Sequence, residues 1–210
     1  MRTLLVLAVA CVGVYAQFSE GGKQSILNAH NDIRSRIAKG NYVAKGNRKE
    51  SATNMLKMKW DSSLEQSAQN YANGCHMQHS TNDKTIGENL YWEWSGDPFS
   101  DLDKFGKIAT VAWDHEFEQF GWNSNKFSLA LFNTGVAHAT QIAWAPTGKI
   151  GCGVKNCGRD ARRGGLFQVA IVCQYRVRGN FFFKNIYNSG ATCSACPAGT
   201  SCEQSTGLCA

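Results

Sequence analysis

The chain has 210 residues, 43% of them hydrophobic and 18% charged, with a formal net charge of +6. That length buries one core without a metal or cross-link to replace it. Its cations are scattered apart from Arg159-Asp160-Ala161-Arg162-Arg163, which reads as an exposed basic turn able to touch anionic surfaces, so the pattern excludes a nucleic-acid groove.

The first element is a leader. Arg2 precedes an apolar run from Leu4 to Val14, and Val14-Tyr15-Ala16 precedes Gln17, the pattern of a signal peptide over residues 1–16. The run is too short to span a membrane, and neither a second long apolar stretch nor a C-terminal lipid-anchor signal follows. The expected product is secreted and extracellular, with no transmembrane segment. Cleavage removes Arg2 and Cys11, leaving a net charge of +5 and eight cysteines, an even number suited to four disulfides in an oxidising compartment. No Asn-x-Ser/Thr sequon occurs, so N-glycosylation is not expected.

Next, Ile26, Ala29, Ile33 and Ile37 fall at helical spacing and predict a helix over Ser25 to Ile37. The Gly- and Lys-rich stretch from Gly40 to Asn54 has no apolar period and predicts a loop. Asp61 is an N-cap candidate for a helix with Leu64, Ala68, Tyr71 and Ala72 on one face, stopping near Asn73-Gly74. From Asp103 to Phe120, Phe105, Ile108, Ala109, Ala112, Trp113, Phe117 and Phe120 give a strongly apolar helix face beside which Glu116 lies. Strands are predicted at Glu88 to Tyr91, Ala139 to Trp144, Ile150 to Val154 and Leu166 to Arg176, a small sheet covered by helices on both sides. In the tail, Cys193, Cys196, Cys202 and Cys209 sit among almost no large apolar side chains, so cross-links are expected to order it. Cys193-x-x-Cys196 also has the spacing of a zinc or redox pair, but without a thioredoxin-like βαβ pattern disulfides are the expectation.

Several segments in combination resemble the CAP superfamily of secreted proteins, which includes cysteine-rich secretory proteins, insect venom antigen 5 and plant pathogenesis-related 1. They are Cys75-His76-Met77-Gln78-His79-Ser80, Gly87-Glu88-Asn89-Leu90-Tyr91, Trp113-Asp114-His115-Glu116, His138-Ala139-Thr140-Gln141-Ile142-Ala143-Trp144, Gly151-Cys152-Gly153-Val154 and the stretch from Val172 to Phe181. The likeness runs from Ser25 to Phe182, and short tails like this one occur in nematode secreted members. It implies an α/β fold, a three-layer α/β/α sandwich of the CAP type, with residues 17–182 as the domain and 183–210 as a cysteine-rich extension. It also implies the pairs Cys75–Cys157, Cys152–Cys173, Cys193–Cys202 and Cys196–Cys209.

The resemblance gathers His79, Glu88, Glu116 and His138 in one cleft, with His79 and His138 as ligands for a divalent cation such as Zn²⁺. Two imidazoles make a weak site, since structural zinc takes four protein ligands and catalytic zinc three. The alternative is a polar network that ties loops to the sheet. Ala137 and Ala139 depart from the family pattern, which has Gly before and an aromatic after the strand His, and Val177 stands for a common Pro; metal affinity is the property these departures touch. His115-Glu116 is half of a His-Glu-x-x-His zinc motif, but Gln119 stands at the second His position. His115 therefore reads as a helix-surface residue, His30 as a packing or capping residue and His76 as an exposed loop residue. The residues point to no nucleophile; Ser80, beside His79, is the obvious candidate. A second implied site is the aromatic loop Trp92-Glu93-Trp94-Ser95-Gly96-Asp97-Pro98-Phe99, whose Trp92, Trp94 and Phe99 resemble a sterol-binding element; the plainer alternative is that the indoles anchor the loop. Fatty-acid binding between the first and third helices is also known in the family, but their apolar faces are accounted for by core packing.

Three functions follow. The first is a secreted, non-enzymatic protein that binds sterol or another small lipid and a divalent cation. The second is an extracellular protein ligand or antagonist that uses the tail to contact a partner protein. The third is a metal-dependent hydrolase built on His79, Glu88, Glu116 and His138.

Overall fold

A computed structural model of the chain describes residues 17–81 and 84–210; the predicted leader at 1–16 lies outside the described residues. Helix α1 (Glu20–Ala38) starts five residues before the predicted position because Ser19 caps it, its Oγ accepting from the Gly22 amide at 3.2 Å. A two-strand ribbon, β1 (Val43–Ala44) and β2 (Asn47–Arg48), lies in the stretch expected to be a loop. Strand β3 (Lys59–Trp60) leads to α2 (Ser62–Asn73), where Asp61 accepts from the Ser63 and Leu64 amides as its sequence position predicts. There follow β4 (Gly87–Ser95), α3 (Asp103–Phe120), α4 (Leu129–Phe132), α5 (Ala137–Ala143), β5 (Lys149–Asp160) and β6 (Leu166–Arg176). The tail ends in the short pair β7 (Cys202–Glu203) and β8 (Leu208–Cys209).

The sheet runs β3-β5-β6-β4, with β3 parallel to β5 and the other pairs antiparallel. Helix α2 packs on one face, and α1, α3 and α5 lie across the other, which makes three layers. Gly151 and Gly153 on β5 set the spacing of the first layer, because a Cβ at either position would collide with the α2 backbone near Glu65 or Gln69. The main core holds Ile26, Ile33, Phe105, Trp113, Phe117, Ile142 and Tyr175 among others; a smaller cluster of Ala68, Ala72, Leu90 and Val172 lies under α2. Four disulfides join Cys75 to Cys157, Cys152 to Cys173, Cys193 to Cys202 and Cys196 to Cys209.

Three sequence expectations need correction. The segment expected as a strand from Ala139 to Trp144 is helix α5. It is buried from Ala139 to Ala143, so no polar face marks its period, and neither end carries a capping side chain of its own. Its caps come from other helices. Glu116 of α3 accepts from the His138 and Ala139 amides at 3.1 and 3.0 Å. At the other end Arg34 of α1 donates to the Ile142 and Trp144 carbonyls, both at 2.8 Å. The strand expected to stop at Tyr91 runs to Ser95, which puts Trp92 and Trp94 in the sheet and not in a loop.

The tail is the third correction. Leu208 is fully buried in the main core, and Cys209 exchanges backbone hydrogen bonds with Met55 and Lys57 at 2.8 Å each. Burial orders this segment together with its cross-links. Ile186 and Tyr187 join the same core.

Arg34 is wholly buried among carbonyls. Besides α5 it donates to Leu56, Ala145 and Thr147 at 2.6 to 3.0 Å, which pins the α5–β5 connection and the approach to β3 onto α1. Burial pushes its pKa down to about 9, still high enough to keep the guanidinium charged at neutral pH.

Candidate functional site: two histidine–glutamate pairs

His79 lies in the segment after α2 that the Cys75–Cys157 bond fastens to β5. Glu88 is the second residue of β4, and the sheet register sets it opposite Gln174 of β6. Its carboxylate accepts from His79 Nδ1 at 3.0 Å, the Ser80 amide and hydroxyl at 2.8 Å each, and Gln174 Nε2 at 3.0 Å. Burial alone would raise the Glu88 pKa, but these four donors outweigh it and hold the carboxyl below its ordinary value.

The second pair joins α3 to α5. Glu116 accepts from His138 Nδ1 at 2.5 Å with the same carboxylate that caps α5, so one acid both starts the helix and orients its imidazole. Trp113, one turn before Glu116, stacks on the His138 ring at 5.9 Å between centroids and 24° between planes. In both pairs the carboxylate takes the Nδ1 side. A neutral imidazole then carries its proton there and keeps the Nε2 lone pair. The carboxylates are the covered partners: side-chain exposure is 7% for Glu88 and 14% for Glu116, against 60% for His79 and 33% for His138. A solute therefore meets the imidazoles first.

Asn89 couples the pairs. It follows Glu88 on β4, and its Nδ2 donates to the His138 carbonyl at 3.1 Å and to the Tyr175 hydroxyl at 3.2 Å. Tyr175 in turn donates to His30 Nε2 at 3.0 Å, and His30 Nδ1 donates to the Ile26 carbonyl at 2.9 Å. This buried chain runs from α1 through the sheet to α5. It fixes the protonated nitrogen of His30, which is a packing residue and no part of the cleft. His115 and His76 are exposed, and His76 lies against the Tyr71 ring.

A cavity of about 540 Å³ opens beside the first pair, walled in part by Ser67, His79, Ser80, Glu88, Gln174 and Arg178. Glu116 and His138 are not in its lining. Among the described residues, only Cys193, Cys196 and Cys209 place three metal-ligating atoms within 4.8 Å of one another, and their sulfurs are all in disulfides. The four residues named from the sequence thus stand as two bonded pairs and not as a closed four-ligand cage. Their donor chemistry fits a cation held by imidazole Nε2 atoms with coordination positions left open.

Trp92 and Trp94 share one face of β4. Trp92 packs against the cluster under α2 and donates to the His76 carbonyl at 3.3 Å. Trp94 donates to Asp160 at 3.3 Å, and the Arg163 guanidinium lies 4.7 Å over its ring. Phe99 packs instead against the main core, edge-on to Phe105 at 5.0 Å.

Sequence reasoning did not single out Asn89, Gln174, Tyr175 or Arg34 as supports of this site. Gln174 and Tyr175 had a signal, being polar groups that end the apolar run Val169 to Cys173 on a central strand. Arg34 had none beyond its place on a helix face.

A sheet between one helix and three, disulfides across and beside it, and paired His and Glu at its end define a protein of the CAP class. The family model for the cysteine-rich secretory protein family, CAP, matches residues 27–175, and the chain belongs to that family. It is 37% identical over 194 residues to the Ancylostoma secreted protein of Ancylostoma caninum, a match covering 89% of this chain and 43% of that protein. It is 32% identical to cysteine-rich secretory protein 3 of Equus caballus, covering 89% of this chain and 68% of that protein. The chain spans 43 to 46% of the first curated relatives it matches. Among solved structures it is similar to NaASP2 with Zn²⁺, with a TM-score of 0.80, 34% identity and coverage of 92% of this chain and 97% of that one. It is also similar to BmVAL-1, with a TM-score of 0.83, 32% identity and coverage of 91% and 95%. No helix among the described residues is long and apolar enough to cross a membrane.

Proposed function

We propose that this is a secreted, non-catalytic CAP protein that holds a divalent cation such as Zn²⁺ on His79 and His138. The observation that carries the reading is the shared arrangement of the two pairs, each carboxylate on Nδ1 so that it leaves the Nε2 lone pair to another partner. Carboxylate-oriented imidazoles are the usual zinc-binding form of histidine. A structure similar to this chain was solved with Zn²⁺, which supports the same ligand here. A bound cation would supply a Lewis-acidic centre with open positions; His79 and His138 would hold it, while Glu88 and Glu116 keep the rings aimed. The leader pattern and the four disulfides support secretion.

Hydrolysis is the weaker reading on this geometry. The Ser80 hydroxyl donates to Glu88 and not to an imidazole, and a carboxylate held below its ordinary pKa is a poor general base at neutral pH. Titration of the mature protein with Zn²⁺ in a calorimeter tests the proposal. Saturable binding is expected at neutral pH and should vanish in His79→Ala and His138→Ala with little change in melting temperature. A wild type that takes up no Zn²⁺ sinks it.

A sterol or other small lipid on Trp92 and Trp94 is a second reading, favoured by two half-exposed indoles two residues apart on one sheet face. The Arg163 guanidinium over Trp94 would have to move aside. Cholesterol binding retained after changing both tryptophans to Ala would exclude these rings as its site.

A further inference from the structure

Phe183 is the most exposed large apolar side chain among the described residues, and it closes a run of three aromatics. Phe181, Phe182 and Phe183 are consecutive, and 43%, 46% and 76% exposed. Phe182 lies 6.3 Å from Phe132 of α4, itself 46% exposed, and Phe181 lies 6.3 Å from Trp144, so the turn continues an aromatic patch. Monomeric proteins seldom present such a patch without using it.

The backbone adds a second, independent observation. Phe183 has φ +67°, in the left-handed region that suits Gly or Asn and disfavours a bulky side chain. A phenyl ring that is three-quarters exposed has no folding role to offset that cost. An outlier of this kind at an exposed aromatic points to function.

Charge identifies the occupant. The groove beside the turn has two lysines and no Asp or Glu among its lining residues. Lys126 and Lys184 line the same groove as Phe181 and Phe183, and the Arg178 guanidinium sits 5.3 Å over the Phe181 ring. A second copy of the chain docked symmetrically on this face would set these cations against their own kind. Phe181 lies near Trp144 while Phe182 lies near Phe127 and Phe132, so the apolar surface is spread over several neighbours, which suits a fluid apolar phase better than a shaped pocket. We propose that the 181–183 turn, flanked by Lys126, Lys184 and Arg178, is a surface that inserts into an anionic phospholipid bilayer. The rings enter the acyl boundary while the cations meet lipid phosphates and carboxylates.

Sedimentation of the mature protein with vesicles tests this, using phosphatidylcholine alone and a phosphatidylcholine–phosphatidylserine mixture. Wild type should pellet with the mixed vesicles, weakly with phosphatidylcholine, and less as salt rises. Lys184→Gln should lower partitioning about five-fold, the effect of one interfacial charge. Phe183→Asn should lower it about ten-fold, as loss of one buried ring predicts. Because Asn accepts a positive φ, Phe183→Asn should melt no lower than wild type. Wild type that stays in the supernatant with mixed vesicles overturns the proposal, as do variants that bind like wild type. A lower melting temperature for Phe183→Asn would assign the ring to folding and overturn it too.

Discussion

His30 makes the stability of this protein depend on pH in a window that can be stated in advance. The ring is fully buried and lies between the Ile26 carbonyl and the Tyr175 hydroxyl. Burial, opposed in part by the Ile26 hydrogen bond and reinforced by the nearby Arg34 charge, lowers its pKa from 6.5 to about 4. In the unfolded chain the imidazole titrates at its ordinary value, so between these two pKa values the unfolded state binds more protons. The stability contributed by a neutral His30 is thus present above the unfolded pKa and is lost as pH falls through 6.5 toward 4. A shift of that size is worth about 3 kcal/mol in full, of which about 2 kcal/mol is lost between about pH 7 and pH 5. For a domain of this size that lowers the melting temperature by about 4 to 8 °C. Thermal melts of wild type and His30→Gln over this range supply the test. The variant removes the titrating group and keeps an acceptor for Tyr175, so its melting temperature should change far less with pH. An equal pH slope in the two proteins would refute the assignment to His30.

Other perturbations follow from the packing. Arg34→Leu leaves the carbonyls of Leu56, Ile142, Trp144, Ala145 and Thr147 without their shared donor, and should cost at least about 4 kcal/mol, read as lost soluble yield or a collapsed denaturation midpoint. A melting temperature near that of wild type would show that water replaces the guanidinium. Gly153→Ala should cost about 1 to 3 kcal/mol because the new methyl meets the Gln69 backbone, while Gly96→Ala, with nothing within 4 Å, should stay within about 0.5 kcal/mol. Equal denaturation midpoints for the two would contradict the close approach of α2 to β5. Leu208→Ala should cost about 2 to 5 kcal/mol if the tail is part of the core, and less than about 1 kcal/mol if the cross-links alone hold it.

Local chemistry made much of this molecule readable from its residues. The apolar period of α3, the Asp61 cap of α2 and the run that forms β6 depend on neighbours in the chain, and each of these elements appears where its own residues place it. Strand β5, in contrast, starts near the expected Ile150 but continues past Val154 to Asp160 through its pairing with β6. The motifs around His79, Glu88, Glu116 and His138 likewise marked the residues that pair at the end of the sheet. Tertiary structure decided what those residues do to one another. Helix α5 has no cap of its own and no exposed face, so only the approach of Glu116 and Arg34 from two other helices makes it a helix. Phe99 reads as the partner of Trp92 in sequence, yet the two belong to different clusters once β4 pairs with β6. The tail has few large apolar groups, and one of them, Leu208, is buried in a core built almost entirely by residues distant in sequence. In each case the deciding contact joins residues far apart along the chain, and no local period or spacing encodes it.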